Sequence, residues 1–246
     1  MADHPIIFSA PMIRALQDGR KTQTRRIITP TNSLFNGGRW SALHKRQEWD
    51  WEGAWVDGGP SPMGNPGPYL KLPWRAGDDD IFEGSVHRIY PVIQPGDRLW
   101  VKEALICATE DLGGADRFAD VVCYAEDGSP ALHNGLHVGW PWKREKLNAR
   151  FMPRWASRTT LTVTDVRPQR LSEISLGDCY AEGCTVGQTE ANSGALPVGW
   201  TGPWHEYRSL WNSLHGPEAW DANPWVYALT FTVHYSNIDA MKGGAE

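Results

Sequence analysis

From Trp225 to His234 the chain alternates without a break. Trp225, Tyr227, Leu229, Phe231 and Val233 occupy one phase, and Val226, Ala228, Thr230, Thr232 and His234 the other. A period of two is what a strand imposes, because successive side chains leave opposite faces. A single strand leaves its backbone donors and acceptors unpaired, so the chain must build a sheet around this one. Partners are legible elsewhere. Gln94-Pro95-Gly96-Asp97 reads as a turn that launches a strand over Arg98 to Glu103, and Ala119 to Glu126 reads as another, ended by the turn signal Asp127-Gly128. Arg158 to Val166 sets Leu161 and Val163 against threonines, the pattern of a half-buried strand.

Short helices separate these strands. Ser9 is a cap for the first, with Pro11 in its opening turn, Met12, Ala15 and Leu16 at helical spacing, and Gly19 as its stop. Lys21 to Ile28 then has strand character. Ser175 to Glu182 reads as a helix capped by Ser175, with Asp178 three residues on and Gly183 closing it. Pro203 to Leu214 is amphipathic, carrying Trp204, Tyr207, Trp211 and Leu214. The expected fold class is α+β, with the sheet curled into a small β-barrel and short flanking helices.

The chain of 246 residues fits a single domain with insertions, at about 31–90 and about 127–147. Residues 31–90 mix Pro, Gly, Asp and Trp with neither period. Trp40, Trp49, Trp51, Trp55 and Trp74 argue against full disorder there, so the stretch is expected to pack over the domain as a lid. The chain holds 14 tryptophans, which suit either core filling or stacking on flat rings.

The formal net charge of −5 speaks against a protein living on non-specific phosphate contacts, which need a basic surplus. Cys107, Cys123, Cys179 and Cys184 form no C-x-x-C pair and are expected to be free thiols in a reducing compartment. The opening residues lack the basic and apolar blocks of a signal peptide, and no apolar run approaches the roughly 20 residues of a membrane helix. The expectation is a cytoplasmic protein with no membrane contact.

The sequence contains no G-x-S-x-G, Walker loop, G-x-G-x-x-G or H-E-x-x-H. His133 and His137 have helical metal spacing, but Asn134-Gly135 between them argues for a turn, and no metal site is expected. His205 reads as a surface residue. The segment Gly19 to Arg26, GRKTQTRR, concentrates Arg20, Lys21, Arg25 and Arg26 beside two threonines in an acidic chain. It reads either as a solvated basic run that binds phosphate or as a site. For a site there is a mechanism. The Thr24 hydroxyl becomes a nucleophile if Lys21 takes its proton, and burial and neighbouring cations both favour a neutral lysine. In a regular strand the two side chains would point to opposite faces, so Lys21 must lie on the turn that follows Gly19. Glu182, at the negative end of a short helix, is the candidate proton donor.

GRKTQTRR resembles the signature of the ASCH-domain family, a Gly-x-Lys followed by an acidic or hydroxyl residue and then Arg, just after the first helix. Pro95-Gly96-Asp97-Arg98-Leu99-Trp100-Val101 is similar to a conserved strand of that family, and Pro224 to Phe231 to its closing strand. The whole chain looks like larger ASCH proteins of phages and prophages. The resemblance covers about half the residues and leaves most of 31–90 and 127–147 outside the minimal domain. It implies a PUA-like barrel and, because bacterial members that hydrolyse N(4)-acetylcytidine share the run, an amidohydrolase acting on N(4)-acylated cytidine without metal or organic cofactor. By that likeness Lys21, Thr24 and Glu182 are catalytic as base, nucleophile and acid. Many family members have Glu where Thr24 stands, so the threonine favours the hydrolase branch. Around them, Trp100 and Trp155 are candidate platforms for the cytosine ring, Arg26 a candidate for the oxyanion or the ring, and Glu103 and Asn223 candidates for the base edge. The other reading is an RNA-binding module or ribonuclease of the same class.

Overall fold

The computed structural model describes residues 1–29, 50–59, 67–73, 86–111, 113, 118–185 and 202–243. Trp40, Trp49 and Trp74, and with them most of the expected lid, lie outside the described residues. In chain order the strands are β1 (Asp3–Ile7), β2 (Gln23–Ile27), β3 (Trp55–Asp57), β4 (Tyr69–Pro73), β5 (Val86–Ile89), β6 (Arg98–Lys102) and β7 (Leu105–Asp111). They continue with β8 (Phe118–Tyr124), β9 (Leu132–His133), β10 (Leu136–His137), β11 (Lys146–Leu147), β12 (Thr160–Arg170) and β13 (Trp225–His234). The helices are α1 (Ala10–Gln17), α2 (Leu176–Ala181) and α3 (Gly202–His215). The architecture is mixed α+β, mostly sheet. A five-stranded sheet runs β1-β6-β12-β13-β2, beside three-stranded sheets β11-β7-β8 and β3-β4-β5 and the hairpin β9-β10; the described strands close no barrel. No helix among the described residues is long and apolar enough to cross a membrane.

The chain divides into two compact units. The first comprises Met1–Thr22, Gly96–Val163 and Phe231–Glu246, the second Gln23–Pro95 and Thr164–Thr230.

In the first unit β1 runs parallel to β6, and β6 pairs antiparallel with the start of β12. Asp3 at the mouth of β1 is gripped by Arg98 (2.7 Å) and Arg154 (2.6 Å). Burial pushes its carboxyl up, but these guanidinium bonds outweigh burial and hold it at about 2. β7, which carries no clear period, pairs with β8 along its whole length, and their inner residues Leu105, Val122 and Tyr124 pack with Ala131, Met152 and Ala156. The Asn134-Gly135 turn is present between β9 and β10, with φ of 52° and 77°, the left-handed pair that a two-residue hairpin demands. His133 and His137 therefore sit on an exposed hairpin, not on one face of a helix, and His133 meets Trp155 edge-on at 5.5 Å.

In the second unit β13 pairs antiparallel with β2, and Trp225 to Leu229 are buried on both faces, where the alternation predicts one wet face. The reason is a double cover. On one side Val226 joins Leu171, Ile174, Cys179, Tyr207, Trp211 and Trp220 in an apolar cluster contributed largely by α2 and α3. On the other, the Trp225 indole donates to the Trp51 carbonyl (3.0 Å) and the Tyr227 hydroxyl to the Ile89 carbonyl (3.3 Å). The stretch that lacks a legible period thus supplies the strands β3, β4 and β5 and roofs a sheet face. These strands escape a pattern search because each is five residues or fewer.

Arg170 fastens this cover. Its guanidinium donates to the carbonyls of Trp51 (2.6 Å), Glu52 (3.2 Å) and Asn223 (3.2 Å) and lies 4.7 Å from the Trp225 ring centre. Arg170→Ala is expected to cost about 2 kcal/mol, from charged hydrogen bonds and one cation–π contact. Amide exchange at Glu52 and Gly53 is expected to accelerate in proportion. Arg170→Lys should recover little of this, since an ammonium cannot reach three carbonyls and stack at once.

Candidate functional site

The chain leaves α1 through the turn that the sequence demands. Gly19 has φ 70°, and the amides of Arg20 and Lys21 both bond the Ala15 carbonyl (2.9 and 3.0 Å). Lys21 therefore precedes the strand, which starts at Gln23. Its side chain has no exposed surface, and its amine lies 5.5 Å from the centre of the Phe8 ring. Arg20, in contrast, is spent at the surface on Asp18 (2.8 Å).

In the second unit β2 brings Gln23, Thr24 and Arg25 into the interior. Arg25 bonds Gln23 (2.8 Å), and Ile27 packs against the α2–α3 cluster. Thr24 is 2 % exposed, and Arg26 is half-buried.

Glu182 arrives from the end of α2. Ser175 caps that helix, its hydroxyl accepting from the Asp178 amide while Asp178 accepts from the Ser175 amide, both at 3.1 Å. At the other end Gly183, φ 99°, bonds the Tyr180 carbonyl and Cys184 the Cys179 carbonyl, a Schellman closure that aims Glu182 inward. Arg25 Nη1 donates to Glu182 Oε1 at 3.0 Å, and Nη2 lies 3.1 Å from Asp178 Oδ2, close enough for an ion pair but without hydrogen-bond alignment. The Tyr207 hydroxyl donates to the same Glu182 oxygen at 3.4 Å, and the guanidinium sits 5.8 Å from the Tyr207 ring centre. The pair is dry, with side-chain exposures of 0 % and 2 %.

Burial, reinforced by the Glu182 charge, raises the Tyr207 phenol well above its ordinary value, so this hydroxyl stays a donor. Burial likewise pushes the Cys179 thiol up to about 12, with Arg25 opposing and Glu182 adding. Asp178 is raised by burial but lowered further by the Ser175 amide and the Arg25 charge, and the net shift is downward. Arg26 is lowered by burial, against the upward pull of Glu182 and Tyr207. Arg25 and Arg26 are thus both within electrostatic range of Glu182. His215, at the end of α3, is lowered by burial and by the Arg26 charge.

Of the residues singled out from the sequence, Lys21, Trp100, Glu103 and Trp155 belong to the first unit, and Thr24, Arg26, Glu182 and Asn223 to the second. Trp100 lies under the Lys102 amine (5.1 Å), Trp155 packs on His133, and Glu103 is held by Arg158 through both oxygens (2.8 and 2.7 Å). Glu103 serves a fork that also takes Asp127 (2.6 Å) and stacks on Tyr124 (3.8 Å). Asn223 takes a left-handed backbone, φ 41°, and its side-chain oxygen accepts from the Ser172 amide (2.8 Å), which is a turn-closing role. Two further expectations change. Ser9 stands at the cap position of α1, yet its hydroxyl makes no capping bond, and His205 is half-buried, with Nδ1 in the interior.

Arg25, Asp178 and Tyr207 are members of the cluster that the sequence did not flag. Strand alternation would have separated Arg25 from Thr24, and a tyrosine on an apolar helical face signals a polar tip in search of a partner. Among the described residues no group of three or more His, Cys, Asp or Glu is arranged to hold a metal ion. In comparisons with known proteins, no family model, no curated protein and no solved structure matches the chain.

Proposed function

We propose that the chain is an amidohydrolase of the ASCH type, with a PUA-like fold, that removes the acyl group from N(4)-acylated cytidine or cytosine in the cytoplasm. One observation supports this over a phosphate-binding basic edge: the cationic segment is largely withdrawn from solvent, Lys21 and Arg25 being buried and Arg25 paired with Asp178 and Glu182. A surface that gathers nucleic acid by counterion release needs its cations outside. A lysine serving as base needs the opposite, because burial disfavours the ammonium.

In the proposed reaction neutral Lys21 takes the Thr24 hydroxyl proton and the oxygen attacks the acyl carbonyl. The two residues are three apart in sequence, within roughly 11 Å of chain at full stretch and less across a turn. Arg26 stabilises the oxyanion. Glu182 gives its proton to the exocyclic nitrogen as the carbon–nitrogen bond breaks, leaving an acyl ester on Thr24 and free cytidine. The Glu182 carboxylate then takes a proton from water, which attacks the ester. The carboxylic acid leaves, and the lysine returns its proton to Thr24. These steps use side chains alone.

The test is the purified protein against N(4)-acetylcytidine, longer N(4)-acyl homologues and a short oligoribonucleotide. The expected result is equimolar cytidine and carboxylic acid, with the oligonucleotide intact. Failure on every acylated nucleoside, or salt-sensitive binding or cleavage of the oligonucleotide alone, overturns the reading in favour of an RNA-directed one.

A further inference from the structure

We propose that Arg25 is the positioning residue for Glu182, locking one carboxylate oxygen so that the other carries the proton in the reaction above; the inference rests on that reading. The case is geometric. Nη1 of a fully buried guanidinium bonds Glu182 Oε1 at 3.0 Å and is itself fixed by Gln23 Oε1 at 2.8 Å, and the Gln23 amide is tied to the Thr230 hydroxyl at 3.1 Å. Tyr207 donates to the same carboxylate oxygen (3.4 Å), so a strand and a helix converge on one atom. A chain of bonds from β13 through β2 to the end of α2 thus fixes one oxygen of Glu182.

Burying a full cation here is costly, and hydrophobic replacement of such pairs is often neutral or stabilising. Ile27, two residues further along the same face, shows that the environment accepts an aliphatic side chain. A guanidinium therefore calls for a reason beyond filling space, and directing a carboxyl whose geometry matters in a proton transfer supplies one. The groups around Glu182 are Arg25 and Arg26 from β2, Asp178 and Cys179 from α2, Cys184 just beyond it, and Tyr207 from α3. Arg25 bonds it directly.

The experiment compares wild type, Arg25→Met, Arg25→Lys and Gln23→Leu in kcat and KM for N(4)-acetylcytidine across pH, with folding checked by near-ultraviolet circular dichroism. Arg25→Met is expected to lower kcat about 100-fold with KM within about threefold, the scale of a mispositioned general acid. Arg25→Lys should recover kcat to about tenfold below wild type at unchanged KM, since an ammonium keeps the charge but not the fork. Gln23→Leu should lower kcat about fivefold at constant KM, the worth of roughly one hydrogen bond. Where Arg25→Met does not fold, the other two variants carry the same decision. A merely structural role predicts that KM rises along with the loss of kcat, or that activity falls only in proportion to the unfolded fraction, and either result overturns the proposal while leaving the amidohydrolase intact. An inactive wild-type protein overturns both.

Discussion

Lys21→Met and Thr24→Val are each expected to slow N(4)-acetylcytidine hydrolysis by about a thousandfold or more, the range for loss of a base or of the nucleophile it activates. Both replacements keep the volume of side chains with 0 % and 2 % exposure, so the fold should survive and the loss should fall on kcat. Residues acting as one unit are not additive, and the double variant should be no slower than either single one. Thr24→Ser keeps a hydroxyl and should retain activity within about tenfold. A sharper readout is the acyl-enzyme. With a slowly hydrolysed acyl group, mass spectrometry of wild type should place the adduct on Thr24, and Lys21→Met should not accumulate it. Activity within severalfold of wild type in either principal variant removes the proposed chemistry.

The largest stability effect is expected at Glu182. Glu182→Leu leaves the Arg25 guanidinium, wholly buried, with its bond to Gln23 and with Asp178 as an acidic neighbour to which it makes no aligned hydrogen bond. Removing one partner of a buried pair costs about 3–5 kcal/mol, which for a chain of this size lowers Tm by about 10 °C. The asymmetry is the diagnostic. Arg25→Met combined with Glu182→Leu removes both charges and should recover most of the loss, because no ion is then left stranded in a dry place. Calorimetry of the two single variants and the double variant reads this as a coupling free energy. Strict additivity would mean that the pair contributes nothing.

Much of the scaffold is written in local signals. The alternation of β13, the Ser175–Asp178 capping box, the Asn134-Gly135 turn and the glycine stops at Gly19 and Gly183 each express physics within a few residues, and each stands where its residues say. β3, β4 and β5 do not, since strands so short hold too few periods and their register comes from partners distant in sequence. The candidate site divides in the same way. Lys21, Thr24 and Glu182 stand out by motif. That Arg25 is an interior ion is invisible from GRKTQTRR, because the carboxylate that neutralises it is 157 residues away. A run of cations reads as wet until its counter-charges are located.

The boundary between the two units falls inside strands: β12 passes from one to the other between Val163 and Thr164, and β13 between Thr230 and Phe231. Neither unit is a continuous stretch of polypeptide. A shortened gene cannot deliver one without the other, because each is assembled from separated segments of the chain. The nascent chain meets the same constraint, since β2 emerges well before β13, the strand it pairs with. The basic segment therefore takes its final form only once β13 has been made.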